Sequence, residues 1–120
     1  MSDKSCPTRI LLEDISRKWA ALVIVLLTHR PRRFSELLRN IEGISQKMLS
    51  QSLRMLERDG LVQRTVNAGT VPITVTYSLT PLGNSLSGPM GVLRLWAERH
   101  IAEVEAAQII YDKNSTADST

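Results

Sequence analysis

Apolar residues run along the first half of the chain at helical spacing, switch to alternation, and then return to helical spacing. The segment CPTRILLEDIS has Pro7 near a helix start and apolar positions at Ile10, Leu11, Leu12 and Ile15. RKWAALVIVLLTHR is apolar nearly all round, which predicts the most buried helix, and Pro31 stops it. RFSELLRNI predicts a short third helix with Phe34, Leu37, Leu38 and Ile41 inward. After the turn EGI, Ser45 stands as the N-cap of a fourth helix, and Gly60 supplies the left-handed residue that ends it.

Residues 61–67 (LVQRTVN) and 73–79 (ITVTYSL) are rich in β-branched side chains and alternate in character, predicting a β-hairpin around the loop AGTVP. TPLG then restarts a helix, with Thr80 as N-cap and Pro81 at the first helical position. Leu82, Leu86, Met90, Leu93 and Ala97 follow helical spacing, and Gly88 with Pro89 is expected to bend or interrupt them. A last helical segment, residues 101–111, carries Ile101, Val104 and Tyr111 on one stripe. The polar string KNSTADST, residues 113–120, is expected to be a disordered tail. This order predicts a mainly α fold with a small β-hairpin, a winged helix-turn-helix with additional N- and C-terminal helices. Residues 1–112 are taken as one domain.

Charge changes the picture more than composition does. Up to Val66 there are 12 Lys/Arg against 7 Asp/Glu, and from Asn67 onward 3 against 5, so positive charge gathers in the first half. Such a skew favours an anionic partner. No apolar run reaches the length of a bilayer span, and MSDKS lacks the order of a secretory signal, so a cytoplasmic protein with no membrane partner is expected. One cysteine and two histidines offer no internal disulfide and no zinc-ligand set, and no metal or cofactor is expected.

The fourth helix lies where the positive charge does. In GISQKMLSQSLRMLERDGLV, Lys47, Ser50, Gln51, Arg54 and Arg58 share a narrow sector at about 100° per residue. Leu49, Leu53 and Leu56 fall on the opposite side. Arg can bind guanine and Gln adenine through two hydrogen bonds each, while Ser serves a base or a phosphate. Gln46, Lys47, Ser50, Gln51 and Arg54 are the expected base contacts, since the N-terminal part of a recognition helix reaches base edges. Arg32, Arg33, Arg39, Ser45, Arg58 and Thr70 are the expected phosphate contacts, although Arg32, Arg33 and Arg39 can equally be solvated or paired with Glu36 or Glu42. The wing tip, residues 68–71, has no Lys or Arg, which predicts a weak wing contact.

Several strings together carry a family resemblance: Lys18-Trp19, RPRRFSELLRNIEGISQKMLSQSLRMLERDGLVQR, and PITVTYSLTPLG from Pro72. The chain resembles the HxlR family of bacterial winged-helix regulators from Cys6 to about Glu98. The resemblance implies a homodimeric, MarR-like transcriptional regulator, repressor or activator, on palindromic double-stranded DNA, with the N- and C-terminal helices building the dimer. The stripe Leu82, Leu86, Met90 and Leu93, continued by Trp96, Ile101 and Val104, is the expected interface, packing back on its own domain being the competing possibility. Two departures stand out. Ser16-Arg17 replaces a common Gly-Gly pair before Lys18-Trp19, and Thr76 stands where Glu is frequent.

Many proteins of that family carry a cysteine at the position of Cys6, and in some it senses oxidants, quinones or aldehydes. A thiol at a helix N-terminus has its thiolate stabilised by exposed N–H groups, and Arg9 is placed to add to this. With no second cysteine, oxidation would give a sulfenate, a mixed disulfide or a bridge between two copies; an inert packing thiol is the alternative. Trp19 and Trp96, with Met90 and Leu93, are candidates to line a small-molecule effector pocket, though large aromatics more often serve packing. A winged-helix protein-interaction module without DNA affinity is the alternative function. An enzyme is not expected, because the sequence has no phosphate loop, no nucleophile with a nearby base and no suggestive carboxylate pair.

Overall fold

The computed structural model describes residues 6–118. Two helices open it, α1 (Pro7–Ser16) and α2 (Lys18–Leu27), with Arg17 alone between them. Arg17 has φ −59° and ψ 138°, an extended conformation open to any residue. The corner therefore forms without the glycine pair that Ser16 and Arg17 replace. Helix α2 contributes Ala20, Val23, Ile24 and Leu27 to the core, more than any other helix, while α1 buries none of its residues.

A two-residue strand, β1 (Arg32–Arg33), precedes α3 (Phe34–Asn40) and α4 (Gln46–Arg58). It was not foreseen, because two residues are too few to show alternation. Strands β2 (Val62–Asn67) and β3 (Thr74–Leu79) form the expected hairpin, and all three make an antiparallel sheet in the order β1-β3-β2. Arg32 and Arg64 both lie directly opposite Tyr77.

The core joins the α2 residues to Leu37, Ile41, Leu49, Leu53, Leu56, Leu61, Val62, Tyr77 and Leu79. Tyr77 is the only aromatic among these, so close packing of aliphatic side chains dominates the hydrophobic stabilisation.

The end of α4 is fixed by a Schellman motif. Gly60 takes φ +76°, its N–H donates to the Glu57 carbonyl, and the Leu61 N–H donates to the Leu56 carbonyl, each at 3.0 Å. Thr80 then ties the end of β3 to this corner. Its backbone N–H donates to the Leu61 carbonyl, and its hydroxyl donates to the Gly60 carbonyl while accepting from Gly83 N–H. Gly83 sits in a one-turn helix, α5 (Pro81–Asn84), so close to the Leu61 carbonyl that a Cβ there would collide with it. That approach explains the glycine of TPLG.

The described chain divides after Ser87 into two compact units. The second is formed by α6 (Ser87–Asp118), 32 residues long and about 48 Å at 1.5 Å per residue. Three expectations change here. The helical stripe from Leu82 is not continuous, because α5 ends at Asn84 and α6 starts at Ser87. Gly88 and Pro89 begin α6 rather than interrupt it; in a first turn the missing proline N–H leaves no hydrogen bond unmade. Residues 113–118, expected as a disordered tail, continue the helix, and only 119–120 of that segment lie outside the described residues. Extending an existing helix fixes one residue per added hydrogen bond, so a polar segment can follow an apolar one.

Candidate nucleic-acid interface

Helix α4 is positioned by its buried side. Leu49, Leu53 and Leu56 are at most 1% exposed and clamp the helix against the core. Ser45 caps its start, its Oγ accepting from Met48 N–H at 3.1 Å, which leaves the hydroxyl proton free for an outside acceptor. Helix α3 and a turn with Gly43 at φ +84° precede it, completing a helix-turn-helix.

The opposite side of α4 points to solvent. Gln46, Lys47, Gln51, Arg54 and Arg58 are exposed and Ser50 is half-buried. None of the side chains of Gln46, Lys47, Gln51 and Arg54 takes part in a hydrogen bond or ion pair within the described residues, whose ion pairs are Arg9–Glu13, Arg17–Asp14, Arg30–Glu36 and Arg94–Glu98. The face carries donors and positive charge, and no ion pair among the described residues engages them.

The flanking cations divide. Glu36 is taken by Arg30, Nη2 to Oε2 at 2.7 Å, rather than by Arg32, Arg33 or Arg39. The Arg30 hydrogen bond, the Arg33 backbone N–H and the charges of Arg30 and Arg32 hold the Glu36 carboxyl below the usual range. Among the described residues, Arg33 and Arg39 are exposed at the start and end of α3 without an ion pair, whereas Arg32 is half-buried and its Nε is a buried donor with no partner. The Thr70 hydroxyl points to the carbonyls of Asn67 and Pro72, at 3.0 and 3.1 Å, and its one proton holds the wing turn.

Behind α4, the carboxyl of Asp59 meets that of Asp14 from α1. Burial pushes the Asp59 carboxyl up, the hydrogen bond and charge of Asp14 push it further, and Arg58 opposes them. Cys6 is the N-cap residue of α1 and half-buried, its carbonyl accepting from Ile10 N–H at 3.0 Å. Arg9, expected to favour its thiolate, is paired with Glu13 at 3.2 Å.

The sequence profile of the HxlR-like helix-turn-helix family matches residues 14–105. The chain belongs to that family. The HTH-type transcriptional regulator YtfH of Escherichia coli K12 is 42% identical over 105 residues, covering 88% of this chain and 82% of that protein. The structure of the ytfH regulator from Salmonella typhimurium matches at a TM-score of 0.80 and 40% identity, over 88% of this chain and 94% of that one. The redox regulator HypR, in its oxidised form, matches at 0.72 and 36% identity, over 78% and 96%. This HxlR-like chain is a transcriptional regulator of the helix-turn-helix type, and its family and relatives are regulators rather than enzymes.

In this HxlR-like protein the two tryptophans named as candidates for an effector pocket belong to different units. Trp19 borders a cleft with Arg17, Met48, Gln51, Ser52 and Met55, and Trp96 an open apolar surface with Pro89, Val92 and Leu93. Trp96 stacks on His100 at 4.8 Å between ring centroids. One cation escaped the sequence reading. Arg64 of β2 lines a cleft with Arg54 of α4, and the alternation of LVQRTVN was the signal, since it sets Arg64 on the same strand face as buried Val62.

Proposed function

We propose that this protein binds palindromic operator DNA as a homodimer, with α4 in the major groove. The observation that carries this is the exposed, carboxylate-free face of Lys47, Gln51, Arg54 and Arg58, flanking half-buried Ser50. Gln46, Lys47 and Gln51 read base edges, Ser50 and Arg54 reach either a base or the backbone, and Arg32, Arg33, Arg39, Ser45 and Arg58 hold phosphates. Leu93, Trp96, Ile101 and Val104 are exposed along α6, as are Ile10, Leu11 and Leu12 on α1, and a second copy covers such faces. A two-fold dimer sets its recognition helices about one DNA turn apart.

Operator release responds to oxidants or electrophiles at Cys6, whose half-buried thiol at the start of α1 is open to attack; similarity to a redox regulator supports this. None of the described helices is long and apolar enough to cross a membrane, in keeping with a cytoplasmic role on DNA. Selection of bound fragments from genomic DNA, followed by binding to the best fragment before and after mild oxidation, tests both parts. Recovery of no sequence above background favours a protein-interaction module instead. Identical oxidation responses from wild type and Cys6→Ser remove the thiol from the mechanism.

A further inference from the structure

Arg64 lies outside both the recognition helix and the cations before α3, yet its position is specific. It stands on β2 directly opposite Tyr77 on β3, and Arg32 stands opposite the same tyrosine from β1. Directly opposed residues point to one face of a sheet, so Arg32, Tyr77 and Arg64 emerge side by side on the face that carries Val62 and Leu79 into the core. There the sheet meets α4 in a cleft of about 340 Å³, lined by Ser50, Leu53, Arg54, Glu57, Arg64 and Tyr77.

Two guanidinium groups thus converge on one cleft, against the single carboxylate of Glu57, and neither forms an ion pair within the described residues. Arg32, with its buried and unanswered Nε, adds a further charge beside Tyr77. Like charges brought together over the apolar floor of Leu53 and Tyr77 repel unless an anion lies between them. Arginine is suited to this, since its planar fork holds a phosphate through two parallel hydrogen bonds.

We propose that Arg64 and Arg54 form a phosphate seat at the junction of recognition helix and wing, completed by the Ser50 hydroxyl. The ligand is a backbone phosphate of the bound duplex, so the proposal rests on the DNA-binding function above. When α4 occupies the major groove and the wing leans toward the neighbouring minor groove, one sugar–phosphate strand runs between them. That strand crosses this cleft. The seat compensates for a wing tip that carries no Lys or Arg over residues 68–71.

The test uses full-length protein with two duplexes, the selected operator fragment and a random sequence of equal length, titrated between ~50 and ~200 mM salt. Arg64→Ala should weaken both duplexes by a similar factor. It should also reduce the affinity lost across that salt range about threefold for each phosphate contact removed. Arg64→Lys, which keeps the charge, should retain most of the salt dependence, and Glu57→Gln should tighten both duplexes. Arg64 is exposed, so its unfolding midpoint should stay at the wild-type value. Wild-type affinity and salt slope in Arg64→Ala would overturn the seat while leaving the DNA-binding function intact. A loss confined to the operator fragment would make Arg64 a base reader and also overturn it. Failure of the wild type to bind either duplex would bring down the function and the seat together.

Discussion

Helices α4 and α6 both carry apolar side chains at helical spacing, but they use them in opposite ways. In α4 all three leucines of the stripe are buried by the rest of its own unit, and the polar side is strongly segregated from them. In α6 none of the described residues is buried, and Val92, Leu93, Leu95, Trp96, Ile101, Ile109 and Ile110 are each at least 45% exposed. A helix whose apolar side is satisfied within its own unit has a fixed outward face, which suits reading a ligand. One whose apolar residues stay uncovered is built for a second surface. Three or four apolar residues per two turns say that a face will be covered, and only the surrounding core says by what.

This contrast yields graded expectations. Leu53→Ala should have the largest effect, costing about 2–5 kcal/mol in urea unfolding, because a fully buried side chain in a tight core leaves a cavity. Trp96→Ala should leave that unfolding nearly unchanged in the monomer while weakening self-association by about 2 kcal/mol, read by sedimentation equilibrium. A wild-type mass equal to one chain would break the α6 half of the comparison. Gln51→Ala should shift base preference by about 1–2 kcal/mol at one operator position. Arg58→Ala should instead weaken all DNA alike and lower the salt slope by about one. Both behaving like wild type would remove α4 as the reading element.

The smallest effect concerns the end of α4. Asp59 has its carboxyl pushed up, so the folded state holds that proton more firmly than the unfolded chain does. Its contribution is therefore fully present below the ordinary aspartate range and is lost as pH rises through the elevated folded value. Asp59→Asn should flatten that dependence and stabilise the neutral-pH protein by about 0.5 kcal/mol, since it also removes a negative charge from a helix C-terminus. Thermal unfolding from pH 3 to 7, compared with wild type, checks both the sign and the window.

Much of the first unit was legible because its signals are local. Ser45 as a cap, Gly60 as a stop, Thr80-Pro81 as a start and the leucine spacing of α4 each act within a turn or two of chain. The misses have a different origin. Strand β1 exists only because β3 lies beside it, and two residues cannot advertise a pairing made about forty-five positions away. The turn role of Thr70 depends on two carbonyls that the hairpin loop brings round it. Arg64 alternates correctly in the sequence, but its nearness to Arg54 comes from packing α4 on the sheet.

The sequence by itself determined the order of the first four helices and the hairpin, the separation of leucines from cations on α4, and membership of a regulator family, because periodicity, caps and motif strings are written in consecutive residues. Tertiary structure alone decided which arginines are engaged and which are free. Glu36 went to Arg30, Arg32 was left with an unanswered donor, and Arg64 was brought to α4. Charge pairing depends on distances of a few ångströms between side chains from different elements, and those distances do not exist until the core has closed.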